Sequence, residues 1–112
     1  MTDADFRELA LGLPGVVEHA EMDHPDFRVG GRIFALLGHP DTGWGTVLLP
    51  PEECQRFAEA DTEHFQPSEG EWGRQGGMSI YLAAAKHPQV REALIAAWRD
   101  KAPKRMRDHF HD

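Results

Sequence analysis

Two adjacent glycines, Gly30 and Gly31, separate two apolar-rich runs at residues 26–29 and 32–37, and no other feature of the chain restricts its fold as much. A two-residue connection between antiparallel strands needs positive φ at its central residues, which glycine adopts without steric cost. The segment therefore predicts a tight β-hairpin in which Val29 faces Arg32 and Phe27 faces Phe34. In that register Phe27, Val29, Phe34 and Leu36 share the core face. Arg28 lies on the other face with Ile33 and Ala35.

The flanking segments supply the layer that such a hairpin needs. Thr2 three residues before Asp5 reads as a helix N-cap with an acid in the first turn, and Phe6, Leu9, Ala10 and Leu13 recur at helical spacing until Pro14-Gly15 stops them. A strand is expected near residues 16–22, and His24-Pro25-Asp26-Phe27 is expected to turn the chain into the hairpin. Past the hairpin, residues 38–43 form a turn and residues 44–49 a strand. Pro50-Pro51 with Glu52 and Glu53 then open a short helix to about Ala60, because a helix start tolerates proline and attracts acids.

Residues 61–74 are polar and interrupted by Pro67, Gly70 and Gly73, which predicts a loop or a brief edge strand. Met78, Ile80 and Leu82 alternate with Ser79 and Tyr81 as a strand. Pro88 opens the last long helix, with Val90, Leu94 and Trp98 on one stripe, and Pro103 breaks it. The tail from about residue 106 to 112 is expected to fray. Residues 1–112 thus read as one α+β domain of two layers, an antiparallel β-sheet with helices packed on one face.

A chain of 112 residues builds one core. Cys54 is the sole cysteine, which excludes an intramolecular disulfide and a multi-cysteine metal site. No apolar run approaches the roughly 20 residues that cross a bilayer, and Asp3, Asp5 and Glu8 stand where a secretory signal would be cationic. A cytoplasmic location without a membrane partner is therefore expected. The net charge of -7 opposes unspecific binding to polyanions, yet it is unevenly spread. Residues 1–85 hold five cations against fifteen acids, a net of -10, and residues 86–112 hold seven against four, a net of +3.

Several landmarks in this order resemble the MmcQ/YjbR family. They are Phe6-Arg7-Glu8-Leu9-Ala10-Leu11 with Leu13-Pro14-Gly15-Val16, the segment His24-Pro25-Asp26-Phe27-Arg28-Val29-Gly30-Gly31-Arg32-Ile33-Phe34-Ala35, then Pro51-Glu52-Glu53, Trp72-Gly73-Arg74, and Trp98 with Ala102-Pro103-Lys104. The resemblance runs from about residue 5 to 105. It implies the compact fold also seen in CyaY-like domains and bacterial secretion chaperones, and a largely uncharacterised function for which DNA binding has been proposed. Two positions depart from the family's pattern. Val47-Leu48-Leu49 stands where many relatives carry a lysine, and Gly77 where many carry a bulky aromatic. The missing lysine removes a cation that a phosphate-binding face could have used.

Arg28 and Arg32 beside the glycine turn, with Arg74 as a third contact, are candidate nucleic-acid-binding residues, as are Lys101, Lys104 and Arg105 at the basic end. The basic end at residues 99–107 holds five cations, and five phosphate contacts give a salt slope of about -4.5 on duplex DNA, so binding would be weak and salt-sensitive. The same cations could instead pair with Glu21, Asp23 and Asp26 or complement the negative end of their own helix. A protein partner or homodimer, met through the acidic surface, is the alternative function.

His24, Trp72, Met78 and Tyr81 form a candidate shallow pocket. No cofactor, structural metal or catalytic set is expected, so the chain reads as a non-enzyme. The histidines are scattered without an HExxH pattern, and His109-Phe110-His111 sits in the tail. Cys54, Phe57 and Ala58 share one helix face, which turns the thiol inward as a small apolar group.

Overall fold

The structure is a computed structural model and describes residues 1–21 and 24–110. The expected first helix, α1, spans Asp3–Leu11 and buries Phe6 and Ala10. Thr2 and Asp5 close a reciprocal capping box, in which the Thr2 hydroxyl accepts from the Asp5 amide at 3.1 Å and the Asp5 carboxylate accepts from the Thr2 amide at 2.9 Å. Strands β1 (Val17–Glu21), β2 (His24–Val29), β3 (Arg32–Leu37) and β4 (Trp44–Leu48) follow. Helix α2 (Pro51–Ala60), strand β5 (Phe65–Pro67), helix α3 (Gly70–Arg74) and strand β6 (Gly77–Tyr81) lead to α4 (His87–Lys101) and α5 (Lys104–Asp108). All strand pairs are antiparallel in one sheet ordered β1-β2-β3-β4-β6-β5, giving the expected α+β class.

The hairpin forms at the glycine pair, with Val29 opposite Arg32 and positive φ at Gly30 (59°) and Gly31 (79°). Its register departs from the expectation two residues further on. A bulge between Phe27 and Arg28 sets Phe27 opposite Ala35, not Phe34, so Phe34 is the extra residue of β3. One inserted residue reverses the side-chain alternation beyond it. Phe34, Ala35 and Leu37 consequently belong to the main core, and Leu36 turns to the opposite face.

His24 to Phe27 is strand, where a turn was expected. Pro25 is tolerated because β3 pairing begins only at Asp26 opposite Leu36, so at Pro25 the strand is laddered to β1 alone. The connection between β1 and β2 lies outside the described residues. Part of the tail expected to fray, up to residue 110, lies among the described residues. Residues 104–108 are helical, Met106 packs on the core, and the Phe110 ring meets Trp98 edge-on at a centroid distance of 5.0 Å.

Helices α1, α2 and α4 cover the face that carries Phe27, Val29, Phe34, Val47, Met78 and Ile80, with Trp98 fully buried among them. Phe57 of α2 stacks on Phe65 of β5 at 5.6 Å. The short α3, in a segment expected to be loop or edge strand, lies against the other face. Gly77 makes room for it, since a Cβ there would stand 2.6 Å from the Trp72 carbonyl oxygen and 3.0 Å from Ser68 Cβ. Among the described residues no helix is long and apolar enough to cross a membrane.

Candidate functional site

Two surfaces gather polar chemistry, one at the C-terminal end of α4 and one on the outer face of the sheet. At the first, the hairpin tip leans on the helix end. A Cβ on Gly30 would come within 3.0 Å of Pro103, and the Arg32 guanidinium donates to the Asp100 carbonyl oxygen at 3.5 Å. Asp100 carries one of the last carbonyls of α4, which have no partner further along the helix, so Arg32 acts there as a loose cap.

Lys101, next along, pairs with the Asp100 carboxylate. Lys101 and Arg74 border one cleft of about 450 Å³ that also includes Cys54 and Asp100. Arg74 pairs with Glu71 at 3.1 Å and Lys104 with Asp108 at 2.8 Å. Arg105 is exposed and, among the described residues, forms no ion pair.

Of the six expected cations, Arg32 of β3 and Lys101 of α4 thus touch Asp100, Arg74 of α3 borders the same cleft as Lys101, and Lys104 and Arg105 follow in α5. Three carboxylates, Glu71, Asp100 and Asp108, stand among them. Arg28 does not join this surface. It projects from the opposite face of the hairpin and grips Asp26 with two bonds of 2.8 and 3.2 Å. Cys54 faces inward as expected, its thiol donating to the Gly76 carbonyl at 3.3 Å, and burial pushes its pKa up. A raised pKa keeps the thiol protonated and a poor nucleophile.

The four residues of the expected pocket do not converge. Met78 is fully buried in the main core, on the helical side of the sheet, because it has the same strand parity as Ile80. Trp72 and Tyr81 are on the outer side, and His24 lies near the Gly38 end of that side, with its Nδ1 3.7 Å from where a Gly38 Cβ would be.

A different set encloses a pocket of about 430 Å³ on the outer face: His39, Trp44, Gln66, Ser68, Glu69 and Ser79, with Pro40 and Pro67. Thr46, Ser79 and Gln66 lie side by side on β4, β6 and β5. The Thr46 hydroxyl donates to the His39 carbonyl at 2.8 Å and fixes that wall, and the Ser68 and Ser79 hydroxyls meet at 2.7 Å. Trp72 of α3 touches His39 edge-on at 6.3 Å, and Trp44 leans on Tyr81 at 5.3 Å. Burial, and then the charge of His24, holds the His39 imidazole below its ordinary pKa, and its Nδ1 is buried without a hydrogen-bond partner.

Sequence reasoning missed this pocket because its residues come from positions 39 to 79. The available signal was polar residues at Thr46 and Ser79 in strands that are otherwise apolar. Among the described residues no group of three or more His, Cys, Asp or Glu is placed to hold a metal, and His111 lies outside them.

A family model described as YjbR matches residues 11–100. A solved structure, the Deinococcus radiodurans protein DR2400 with its DUF419 domain, is similar to this chain with a TM-score of 0.72 and 19% identity, over 96% of this chain and 86% of that one. No curated protein matches the chain significantly in sequence.

Proposed function

We propose that this chain, which belongs to the YjbR family, acts in the cytoplasm as a non-catalytic module that binds the phosphate backbone of DNA weakly and salt-sensitively. The observation that carries this reading is that Arg32 reaches the Asp100 carbonyl at the end of α4, beside the cleft that Arg74 and Lys101 border, with Lys104 and Arg105 following in α5. Arg32, Arg74 and Lys101 are distant in sequence, and their common neighbour Asp100 supports reading them as one surface. The carboxylate partners of Arg74 and Lys104 do not forbid a ligand, because exposed ion pairs contribute only about 0 to 1 kcal/mol and phosphates can displace them, whereas Lys101 is 13% exposed and is held more firmly by Asp100. The acidic remainder repels a duplex that approaches within a Debye length, about 10 Å, which confines contact to this end and caps the affinity.

The test is a titration of fluorescent duplex and single-stranded DNA against salt. Binding at tens of micromolar protein in low salt is expected, with a log–log salt slope near -4.5 on the duplex that weakens in a Lys101→Glu/Lys104→Glu variant. No binding at that concentration in low salt overturns the reading.

A second reading, self-association, draws on one observation. Strand β1 is a sheet edge, and its Val17 is 57% exposed. An open strand edge is a template for pairing with another copy. Sedimentation that gives a dimer, converted to monomer by Val17→Lys, would favour this reading over the first.

A further inference from the structure

We infer that the outer-face pocket is a binding site for a nucleobase-like ring: flat, uncharged, and carrying N–H donors beside carbonyl acceptors. None of its lining residues belongs to the cationic cleft, so this site stands whether or not that cleft binds DNA.

The first argument is the placement of buried polarity. Among the described residues the buried polar side chains are Thr46 and Ser79, and both face this side of the sheet as direct cross-strand partners. A sheet face covered only for structural reasons is better sealed with apolar groups, since each buried hydroxyl without a partner costs about 1 to 3 kcal/mol. Thr46 is committed to the His39 carbonyl, but the Ser68–Ser79 pair is not fully used. When two hydroxyls pair, as Ser68 and Ser79 do, one O–H is donated and the other is left over. That remaining donor, the Gln66 amide and the Glu69 carboxylate border the same space and offer both donors and acceptors to a ring edge.

The second argument is charge. No lysine or arginine lines the pocket, Glu69 does, and the charged form of the half-buried His39 ring is disfavoured. A phosphate or other anion is disfavoured there, whereas an uncharged ring is not. The third is shape. Trp44 lines the pocket with its ring tilted against Tyr81, and stacking of a base on an aromatic side chain contributes about 1 to 3 kcal/mol. A volume of about 430 Å³ lies within the range of small-ligand sites. The ring could come from a free nucleoside or from an unpaired base in a single strand.

The experiment is an amide and indole NMR titration of the intact chain with adenosine, guanosine, cytidine and uridine at millimolar concentration. Ribose alone, the matching monophosphates and a short single-stranded oligonucleotide serve as further arms. Expected are saturable shifts at the Trp44 indole, Gln66 and Ser79 with at least one nucleoside, and several-fold weaker binding of its monophosphate. Glu69→Gln should narrow that difference, and Gln66→Ala should weaken the nucleoside several-fold. Gln66 is exposed, so that variant keeps the test open even if Ser79→Val fails to fold. Tighter binding of the oligonucleotide than of the nucleoside, at equal base concentration, identifies the strand as the source, and the reverse identifies the free nucleoside. The inference is overturned if no nucleoside shifts these residues, if ribose alone reproduces the shifts, or if monophosphates bind more tightly than nucleosides.

Discussion

The indole N–H of Trp98 donates to the carbonyl oxygen of Pro14 at 2.9 Å, joining the last long helix to the turn that ends the first one, 84 positions earlier. Trp98 is fully buried, and the Phe110 ring covers it edge-on. One side chain thus ties α1, α4 and the C-terminal tail. Replacing it by phenylalanine keeps most of the apolar body but removes the donor and leaves a small void. Trp98→Phe should cost about 2 kcal/mol, read as a lowered urea midpoint with an unchanged m-value.

Phe110→Ala tests the docked tail separately. The ring contributes its aromatic contact with Trp98 and also lies under the Arg99 guanidinium at 5.4 Å. Loss of about 1 kcal/mol is expected, with a red shift in tryptophan emission as water reaches Trp98. A variant as stable as the parent, with unchanged emission, would mean that the tail frays as its sequence leads one to expect.

Gly77→Ala addresses the α3 side. The new methyl would stand 2.6 Å from a backbone oxygen of Trp72, which no rotamer change relieves. Either α3 lifts from the sheet or β6 bends. We expect about 2 kcal/mol or more of destabilisation, roughly 10 °C in Tm for a domain of this size. Hydrogen exchange should localise the loss to residues 68–77. Uniform loosening of the whole sheet would refute the assignment of Gly77 as the seat of α3.

How far the sequence disclosed this molecule depends on what signal each element leaves in it. The hairpin was legible because two consecutive residues must adopt positive φ and only glycine does so freely. The bulge was not, because residues 34–37, Phe-Ala-Leu-Leu, are all apolar and carry no alternation from which a phase could be read. Helix α3 was hidden for the opposite reason. Two of its five residues are glycine, and it forms because Gly73 and Gly77 let the backbone settle on Ser68 and β6, a tertiary effect that outweighs local propensity. The cations were visible as a set. Their pairing was not, since Asp100 beside Lys101 and Asp108 one turn past Lys104 look like ordinary helix charges until coordinates join them.

His39 gives the chain a pH dependence whose sign follows from its burial. Its native pKa lies below the ordinary value of 6.5, first because burial disfavours the charged ring and second because His24 is close. Well above pH 6.5 the ring is neutral in both folded and unfolded chains, and it adds no slope. As pH falls below 6.5 the unfolded chain binds a proton that the folded one resists, so stability declines until the depressed native pKa is passed. The groups facing His39 are His24 and, across the pocket, Glu69. His39→Gln should flatten the stability profile below pH 6.5, and His24→Gln should flatten it less. Parallel profiles for His39→Gln and the parent would remove His39 as the source.

Arg28 and Arg32 separate the structural use of a guanidinium from the proposed binding use. Arg28 holds Asp26 in a two-bond grip, and the Asp26 side chain is only 14% exposed. Removing Arg28 strands a carboxylate that has little water to replace its partner. Arg28→Leu should therefore cost about 1 to 2 kcal/mol of stability while DNA affinity and its salt slope stay unchanged. Arg32 is exposed and makes one long bond to the Asp100 carbonyl. Arg32→Ala should change stability by no more than about 0.5 kcal/mol, yet make the salt slope shallower by about 0.9, the loss of one phosphate contact. If Arg28→Leu weakens DNA binding as much as Arg32→Ala does, the polynucleotide wraps both faces of the hairpin, and the interface assigned to the end of α4 is wrong.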